Sequence, residues 1–433
     1  IGARSALFAP LENLGLIVVD EEHDGGYKQG ESPRYHARDL AVVRGRLEQA
    51  PVILGSATPS LESAYNADRE RYFRVRLTKR VDGAKLPKVQ VVDMRKEEKP
   101  KSSGPRMLSA ALQKALEERR KKGEQSLVLL NRRGYAPSVQ CPHCGRVEEC
   151  ERCAVPMTYH RSVGRLQCHF CDAQRPAPGA CPECGSPQLK FTGAGTERLE
   201  EAVGEALPGV RWTRMDSDSM KTRGAHGKAL AAFREGRTDI LLGTQMIAKG
   251  LHFPKVTCVG VVGVDSALNL PDFRASERVF QLLVQVAGRA GRGEIPGEVF
   301  VQTYTPFHPA IQFARHHDVD GFREQELEYR RAHGYPPFKR AILVSFSGPS
   351  EAQATASIRH VANRLRDLWK GKVEVPEPCA APIARVEGKF RFQVFLLVDK
   401  VPELMADLKR EVLAPKWPTG VRGTIDVDAQ DLL

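Results

Sequence analysis

The 433-residue sequence has no apolar run close to the roughly 20 residues that a membrane-spanning helix needs. Its first residues, IGARSALFAPLEN, lack the charged, apolar and cleavage regions of a secretion signal. We therefore expect a cytoplasmic protein with no membrane partner. The sequence also contains no H-E-x-x-H pattern, which argues against a zinc protease of that type.

A phosphate-binding loop is also missing from the sequence. Such a loop needs G-x-x-x-x-G-K followed by Ser or Thr, and its backbone and lysine hold the β and γ phosphates. The chain has Gly-Lys only at 227, 371 and 388, where the next residues are Ala, Val and Phe. By itself the chain should therefore bind nucleoside triphosphates poorly and hydrolyse little.

Composition indicates a folded protein of two to four domains, because 41% of residues are hydrophobic and 27% are charged. The 65 Lys and Arg residues exceed the 53 Asp and Glu residues, which gives a formal net charge of +12. Such a surface favours a polyanion, most often nucleic acid, with a membrane surface as the alternative.

Short apolar segments at 14–19 and 51–54 end in polar turns and are separated by a helical stretch at 37–47. This pattern predicts an open α/β sheet. A Lys-, Pro- and Glu-rich stretch at 79–105 lacks periodicity and is predicted to be a linker. After it, α/β alternation resumes, with helix 108–121 and strands at 126–130, 240–243, 257–264 and 299–303.

The last hundred residues predict the order β-α-β-β-α-β of a split βαβ domain. Its strands are expected at 341–346, 373–375, 390–398 and 423–427, and its helices at 350–369 and 402–413.

Eight of the ten cysteines lie within 44 residues and form four C-x-x-C pairs. Each pair supplies two thiolates at tetrahedral separation, so eight thiolates predict two closed structural zinc sites. An iron–sulfur cluster and redox dithiols are the alternatives, and His143 or His169 could also ligate. Closed sites cannot activate water, which argues against a zinc nuclease or protease. The predicted ligands are Cys141, Cys144, Cys150, Cys153, Cys168, Cys171, Cys181 and Cys184, while Cys258 and Cys379 are expected to be buried apolar residues.

The strand that ends in Asp20-Glu21-Glu22-His23 has the pattern of a Walker B motif, although acidic turns after strands are common. Gly55-Ser56-Ala57-Thr58 follows the next strand, and Gly-Thr-Gln-Met-Ile-Ala-Lys-Gly lies at 243–250. In the segment Gln285 to Arg292, two arginines lie three residues apart, so a helix would turn both to one side. There they could reach phosphate oxygens, whereas the alternative is a solvated basic helix end.

These segments, DEEH, GSATPS, GTQMIAKG and QVAGRAGRG, resemble motifs II, III, V and VI of superfamily 2 helicases. The stretches RSALFAPLENLGLIVVDEEHD, PRYHARDLAVVR, LVLLNRRGYAP, GTERLEE and DFRASERVFQLL, together with the cysteine block, resemble the PriA family of replication-restart helicases. The resemblance spans nearly the whole chain. It implies an ATP-dependent 3′ to 5′ DNA helicase that recognises stalled forks, unwinds DNA and promotes primosome assembly.

The resemblance also implies roles for particular residues. Asp20 would hold Mg²⁺, Glu21 would position the attacking water, and Arg289 and Arg292 would stabilise charge on the γ-phosphate of ATP. His23 and Gln285 would contact ATP as well. In the family, the outer four cysteines share one zinc and the inner four share the other, a nested pairing that spacing alone cannot choose.

Two further surfaces follow from the resemblance. The segment 24–38 matches a loop that senses DNA, with Tyr27 and Tyr35 for base stacking and Lys28, Arg34 and Arg38 for charge; an ordinary surface loop is the alternative. Lys389, Arg391 and Gln393 match a stretch that binds the acidic tail of the single-stranded-DNA-binding protein, although a half-buried strand would show the same alternation. The implied partners are single-stranded and forked DNA, that protein, and other primosome and helicase-loading proteins.

The expected fold class is therefore α/β, with four parts. They are the rear of a RecA-like lobe 1 at 1–95, a RecA-like lobe 2 at 105–140 and 186–335, an inserted two-zinc module at 141–185, and a C-terminal α+β domain at 338–433. Because the family places DNA-binding domains and a phosphate loop ahead of DEEH, we expect an N-terminally truncated chain. A non-catalytic zinc- and DNA-binding scaffold with degenerate lobes is the alternative function.

Overall fold

The computed structural model describes residues 1–77, 86–97, 107–130, 138–160, 164–191, 196–215, 220, 224–244, 247, 253–291 and 296–432. Within these ranges, no helix combines the length and the apolar character that crossing a bilayer requires.

The first unit is built on a two-stranded parallel sheet. Its elements are β1 (Ile17–Val19), α1 (Ala37–Leu47), β2 (Val52–Leu54) and α2 (Leu61–Asp68). Ser60 caps α2, since its hydroxyl accepts a hydrogen bond from the Ser63 amide. Because β1 and β2 run in parallel, the turns after Val19 and Leu54 emerge at the same edge. DEEH and GSAT therefore lie side by side.

The cysteine-rich module interrupts the second unit. The chain first forms β3 (Lys88–Asp93), α3 (Ala110–Lys121) and β4 (Gln125–Leu130). The module then contributes β5 (Val139–Gln140), β6 (Thr158–His160), β7 (Arg165–Gln167), β8 (Gln174–Pro176) and β9 (Lys190–Phe191). Strands β6, β7 and β8 form an antiparallel sheet, and β5 pairs with β9 at the base. The chain thus leaves and returns at one place, as an inserted module requires.

After the module, the second unit continues to residue 333. Its further elements are α4 (Thr196–Ala206), β10 (Trp212–Met215), α5 (Ala225–Arg234), β11 (Ile240–Gly243), β12 (Val256–Val262), α6 (Val264–Leu268), α7 (Ala275–Ala287), β13 (Glu298–Thr303), α8 (Pro309–Arg315) and α9 (Val319–His333). The sheet order is β10-β11-β4-β12-β13-β3, and every pairing is parallel. Separate apolar clusters cover its two faces, so Leu127 and Leu129 belong to one core and Val128 and Leu130 to the other.

The position of β3 differs from the predicted linker and from the predicted end of the first unit. It pairs with β13 from Lys88 opposite Glu298 to Asp93 opposite Thr303. The segment 88–93 therefore belongs to the second unit, and the predictions of a first unit at 1–95 and a linker at 79–105 are wrong for these residues. The linker positions 79–85 and 98–105 lie outside the described residues. Because β3 is an edge strand, Lys88 and Gln90 lie on a partly exposed face. These polar residues interrupt the apolar run by which a buried strand is predicted.

The C-terminal unit has the predicted β-α-β-β-α-β order. Its elements are β14 (Arg340–Gly348), α10 (Glu351–Leu368), β15 (Cys379–Val386), β16 (Lys389–Val398), α11 (Pro402–Leu408) and β17 (Arg422–Val427). The antiparallel sheet has the order β15-β16-β14-β17. The strand predicted at 373–375 is wrong, because β15 takes the second place in the order. Of the helix predicted at 402–413, residues 402–408 form the α-helix α11, and a π-helical turn, Lys409–Leu413, follows it.

A shared aromatic core joins the cysteine-rich module, the segment after α9 and the C-terminal sheet. Phe170 of the module stacks on Phe395 of β16 with ring centroids 4.5 Å apart. Tyr335 stacks on Phe273 at 4.6 Å, and its hydroxyl donates a hydrogen bond of 2.7 Å to the Cys153 carbonyl. The module is therefore fixed to both neighbouring units by buried contacts.

Candidate nucleotide and metal sites

The outer four cysteines form one metal-binding group. The Sγ atoms of Cys141, Cys144, Cys181 and Cys184 all lie within 4.8 Å of one another. The separations Cys141–Cys184 and Cys144–Cys181 are both 3.6 Å. A tetrahedral zinc with Zn–S bonds of about 2.3 Å places its sulfurs about 3.8 Å apart, so this set fits zinc.

The glycine that ends each knuckle lets the chain turn back at the metal site. Gly145 and Gly185 have φ angles of +86° and +70°, a region that other residues rarely adopt. Each glycine amide donates a hydrogen bond of 2.9 Å to the carbonyl of the first cysteine in its knuckle. At Gly145, an added Cβ would also meet the Tyr304 carbonyl at 2.5 Å, so a side chain would push the module away from the second unit.

The inner four cysteines form a second group of the same kind. Cys150, Cys153, Cys168 and Cys171 also lie within 4.8 Å of one another, and the Cys150–Cys171 separation is 3.6 Å. The predicted nested pairing is confirmed. Among the described residues, neither group contains a histidine, and His169 instead places Nδ1 2.6 Å from the Ala380 carbonyl.

The two cysteines outside the block are buried, as predicted. Cys258 and Cys379 are 0% and 3% exposed. Burial raises the pKa of the Cys258 thiol to about 12, so it stays protonated near neutral pH. This is the behaviour of a small apolar side chain rather than of a reactive thiol.

The acidic turn after β1 presents two carboxylates at the sheet edge. Asp20 is exposed and its Oδ1 accepts a hydrogen bond of 3.0 Å from the Glu21 amide. Glu21 has a φ of +47°, and 41% of its side chain is exposed. A non-glycine residue in this region is strained, and such strain is common where side chains are aimed at a ligand. The turn can offer both carboxylates to a hydrated cation.

A hydrogen bond connects the acidic turn to the segment after β2. His23 Nδ1 lies 2.7 Å from Ser56 Oγ and 3.6 Å from a Glu21 carboxylate oxygen. The Ser56 hydroxyl also accepts from the Thr58 amide at 2.9 Å. Any displacement of the acidic turn therefore acts directly on GSAT.

The third acidic residue of the turn has a different role, which its sequence pattern does not indicate. Glu22 is 1% exposed and accepts hydrogen bonds from the Ser60 amide at 2.6 Å, the Ser60 hydroxyl at 3.0 Å and the Ser63 hydroxyl at 2.9 Å. Arg38 pairs with it at 3.2 Å. Glu22 therefore anchors α2 to β1, and no sequence signal links residues so far apart in the chain.

The glutamine and arginine segment lies at the end of α7. Gln285 is in the last turn of the helix, and Arg289 follows the helix C-cap, with both side chains half-buried. Arg292 lies outside the described residues, as do 245–246 and 248–250 of the GTQMIAKG segment. The role of the two arginines remains a prediction.

The loop at 24–38 departs from its predicted DNA-binding role at two positions. Arg38 is 7% exposed and pairs with Glu22 and with Asp39 at 2.9 Å. The Lys28 side chain is 8% exposed, and its ammonium lies 2.6 Å from an Asp426 carboxylate oxygen. Both charges are buried and neutralised, so these two residues do not offer free charge to DNA.

The remaining loop residues keep partly accessible side chains. Tyr27 donates a hydrogen bond of 2.6 Å to the Asp20 carbonyl, and the Tyr35 ring lies 5.1 Å from that of Phe8. Arg34 is half-buried. DNA binding by Tyr27, Arg34 and Tyr35 remains a prediction.

The predicted partner site on β16 is also reduced. Lys389 is exposed and Arg391 is half-buried, but Gln393 is 2% exposed. The Gln393 side-chain amide donates a hydrogen bond of 3.2 Å to the His169 carbonyl of the zinc module. Gln393 therefore holds the module against β16 and is not accessible to a partner.

Comparisons with known proteins agree with this arrangement. The family model of the PriA DNA helicase Cys-rich region (CRR) domain matches residues 150–176, and that of the Primosomal protein N C-terminal domain matches 331–430. The helicase conserved C-terminal domain matches 192–294.

Curated relatives match nearly the whole chain. Replication restart protein PriA of Bacillus subtilis (strain 168) is 47% identical over 410 residues, which are 95% of this chain and 51% of the relative. Replication restart protein PriA of Synechocystis is 44% identical over 438 residues, covering 99% of this chain and 52% of the relative. The chain thus spans about half the length of these relatives. Among solved structures, RecG bound to a three-way DNA junction is 14% identical, with a TM-score of 0.34 and coverage of 73% of this chain and 30% of RecG.

Proposed function

Because this chain belongs to the PriA family of replication restart proteins, we propose that its residues serve an ATP-dependent DNA helicase. This helicase moves 3′ to 5′ on single-stranded DNA, unwinds stalled forks and promotes primosome assembly in the cytoplasm. The observation that carries the proposal is the acidic turn: Asp20 is exposed and Glu21 is partly exposed after β1, while His23 lies within hydrogen-bond distance of Ser56. A scaffold with degenerate lobes would not need this arrangement.

The nucleotide site combines residues from both α/β units. Asp20 would hold the hydrated Mg²⁺, and Glu21 would orient the water that attacks the γ-phosphate. The cation supplies neutralisation of the phosphate charge when it is bound with ATP. Arg289 and Arg292 would stabilise the charge that develops on the γ-phosphate, and His23 and Gln285 would contact the nucleotide.

The two zinc sites take no part in this chemistry. All four positions of each site are occupied by thiolates, which leaves none for water or substrate. Their proposed role is to fold the module between the second unit and the C-terminal unit.

DNA is the proposed polyanion, with Tyr27, Arg34 and Tyr35 as its contacts. Lys389 and Arg391 would meet the acidic tail of the single-stranded-DNA-binding protein, next to other primosome and helicase-loading proteins.

The test is DNA-stimulated ATP hydrolysis by a protein that contains this chain together with the remainder of the length found in its relatives. Substituting Glu21→Gln or Arg289→Ala should lower kcat by about 100-fold or more, because each removes a group that acts on the reacting phosphate. Glu12→Gln is the matched control, since Glu12 is an exposed carboxylate of the same unit. Hydrolysis within about 10-fold of the parent in the first two variants would refute the proposed roles.

A further inference from the structure

A largely buried cluster of charged side chains joins the first and second units. Glu62 of α2 pairs with Arg274 at 3.3 Å, and the Arg274 side chain is 3% exposed. Glu277 of α7 pairs with Arg330 of α9 at 2.7 Å, and Arg330 also pairs with Glu326 at 3.2 Å. We call this cluster the α2–α7 junction.

Glu277 is the member of the junction that touches the backbone of α2. It is 5% exposed, and its Oε1 accepts a hydrogen bond of 3.0 Å from the Leu61 amide and one of 3.2 Å from Gln281. The other carboxylate oxygen faces Arg330. The first amide of α2 has no partner within its own helix, so Glu277 completes it from another unit.

The junction lies between the two ends of the proposed nucleotide site. Ser60, the neighbour of Leu61, donates its amide to Glu22 of the acidic turn at 2.6 Å. On the other side, Glu277 and Gln285 share helix α7 and are eight residues apart, which is about 12 Å at roughly 1.5 Å per residue. A rigid helix carries a displacement of its first turn to its last turn, so the position of α2 sets the position of Gln285 and Arg289.

We propose that Glu277 is a positioning residue that couples the acidic turn and GSAT to the arginine-bearing end of α7 through its hydrogen bond to the Leu61 amide. This inference rests on the proposed function. It differs from a purely stabilising role for the junction, which would require only the buried ion pairs and not the bond to α2.

The experiment compares two double variants in the longer protein described above. In both E277Q/R330M and E277M/R330M, neutral side chains replace the Glu277–Arg330 pair, so neither leaves Arg330 buried without its partner. Both variants lose the Glu326–Arg330 pair equally, so its loss does not affect the comparison. Only the first keeps an oxygen that can accept from the Leu61 amide. We expect kcat for DNA-stimulated ATP hydrolysis to be about 10-fold lower in E277M/R330M than in E277Q/R330M, with KM for ATP within about twofold.

The same comparison is repeated with Arg289→Ala added to each variant. If Glu277 acts through the end of α7, the difference between the two double variants should fall to about threefold or less, because Arg289 is gone and only Gln285 is left to be positioned. Equal kcat values in the first comparison, or a difference that remains undiminished in the Arg289→Ala background, would overturn the positioning role while leaving the helicase proposal standing. An Arg289→Ala protein with unchanged hydrolysis would overturn both the positioning role and the role proposed for Arg289.

Two further variants separate positioning from folding. Glu326→Gln alters another carboxylate that faces Arg330, yet no hydrogen bond of its side chain to α2 is among the described contacts, so kcat should stay within about twofold. Glu277→Asp keeps the charge opposite Arg330 but withdraws it by one methylene from the Leu61 amide. It should reproduce the loss of kcat, and it replaces E277M/R330M if that variant loses zinc or does not fold. Normal kcat in Glu277→Asp would overturn the proposal.

Discussion

Substituting Glu22→Gln should destabilise the first unit, whereas Glu21→Gln should not, although the two carboxylates are neighbours. Glu22 is 1% exposed and meets donors from Ser60, Ser63 and Arg38, while 41% of the Glu21 side chain is exposed. Losing one member of a buried pair costs about 3–5 kcal/mol. Glutamine at position 22 keeps one acceptor oxygen, and Arg38 keeps its ion pair with Asp39 at 2.9 Å. We therefore expect Glu22→Gln to lower the stability of the first unit by about 2–3 kcal/mol.

Hydrogen exchange of the α2 amides is the appropriate assay, because a chain of several units with metal sites does not unfold in one step. If the opening equilibrium determines the exchange rate, a loss of about 2–3 kcal/mol makes the α2 amides exchange roughly 30 to 150 times faster. Glu21→Gln and Glu12→Gln should change α2 exchange by less than about twofold. Equal exchange in the Glu22→Gln and Glu21→Gln proteins would show that the buried hydrogen bonds contribute little, which would refute the anchoring role.

Three other outcomes follow from the structure. Lys28→Ala should loosen β17 but change the affinity for single-stranded DNA by no more than about twofold, because Lys28 pairs with Asp426. Arg34→Ala should weaken DNA binding. A smaller salt dependence of DNA binding in Lys28→Ala would contradict the buried pair. Elemental analysis should find two zinc per chain and one in Cys168→Ser, and iron would contradict the zinc assignment. Burial opposes ionisation of Glu62, but Arg274, Arg330 and Arg38 outweigh it and lower its pKa from 4.5 to about 2. Its contribution, at most about 3 kcal/mol, is therefore present above pH 4.5 and lost as the pH falls towards 2, so the difference in α2 exchange between the parent and Glu62→Gln should shrink over that range.

Local sequence patterns were sufficient where the structure depends on local interactions. Helix α1 occupies the predicted range, and the apolar β-branched runs of β4, β11 and β12 lie within one residue or two of their predicted bounds. These strands are buried on both faces, so each is apolar over most of its length. The spacing of C-x-x-C pairs likewise predicted the metal ligands, since adjacent thiolates are a property of the chain itself.

Predictions failed where a distant partner determines the structure. The alternating sequence of β3 becomes a strand only because β13 offers it an open edge. Lys28 and Arg38 have the composition expected of a DNA-binding loop, yet Asp426, which is far away in the chain, neutralises the charge of Lys28, and Glu22 and Asp39 neutralise that of Arg38. Charge in a sequence predicts a basic surface only when no acidic partner is folded against it.

The roles of Glu22 and Glu277 could not be found from sequence for the same reason. Both residues satisfy the first amides of α2 and its cap, and they reach them from β1 and α7. The first amides of a helix have no partners within it, so buried ones need acceptors from other elements. The pattern of a single element contains no information about which distant carboxylate will supply them.

The zinc module has no catalytic chemistry, but its position gives it a structural role. Its inner site is bordered by His169 and Phe170, whose carbonyl and ring hold Gln393 and Phe395 of the C-terminal sheet. The Cys153 carbonyl receives the hydroxyl of Tyr335 from the end of the second unit. Strands of two or three residues cannot maintain these positions alone, so the metal must supply the folding free energy. Removing zinc should therefore loosen the C-terminal unit from the second unit before either of their own cores is disturbed.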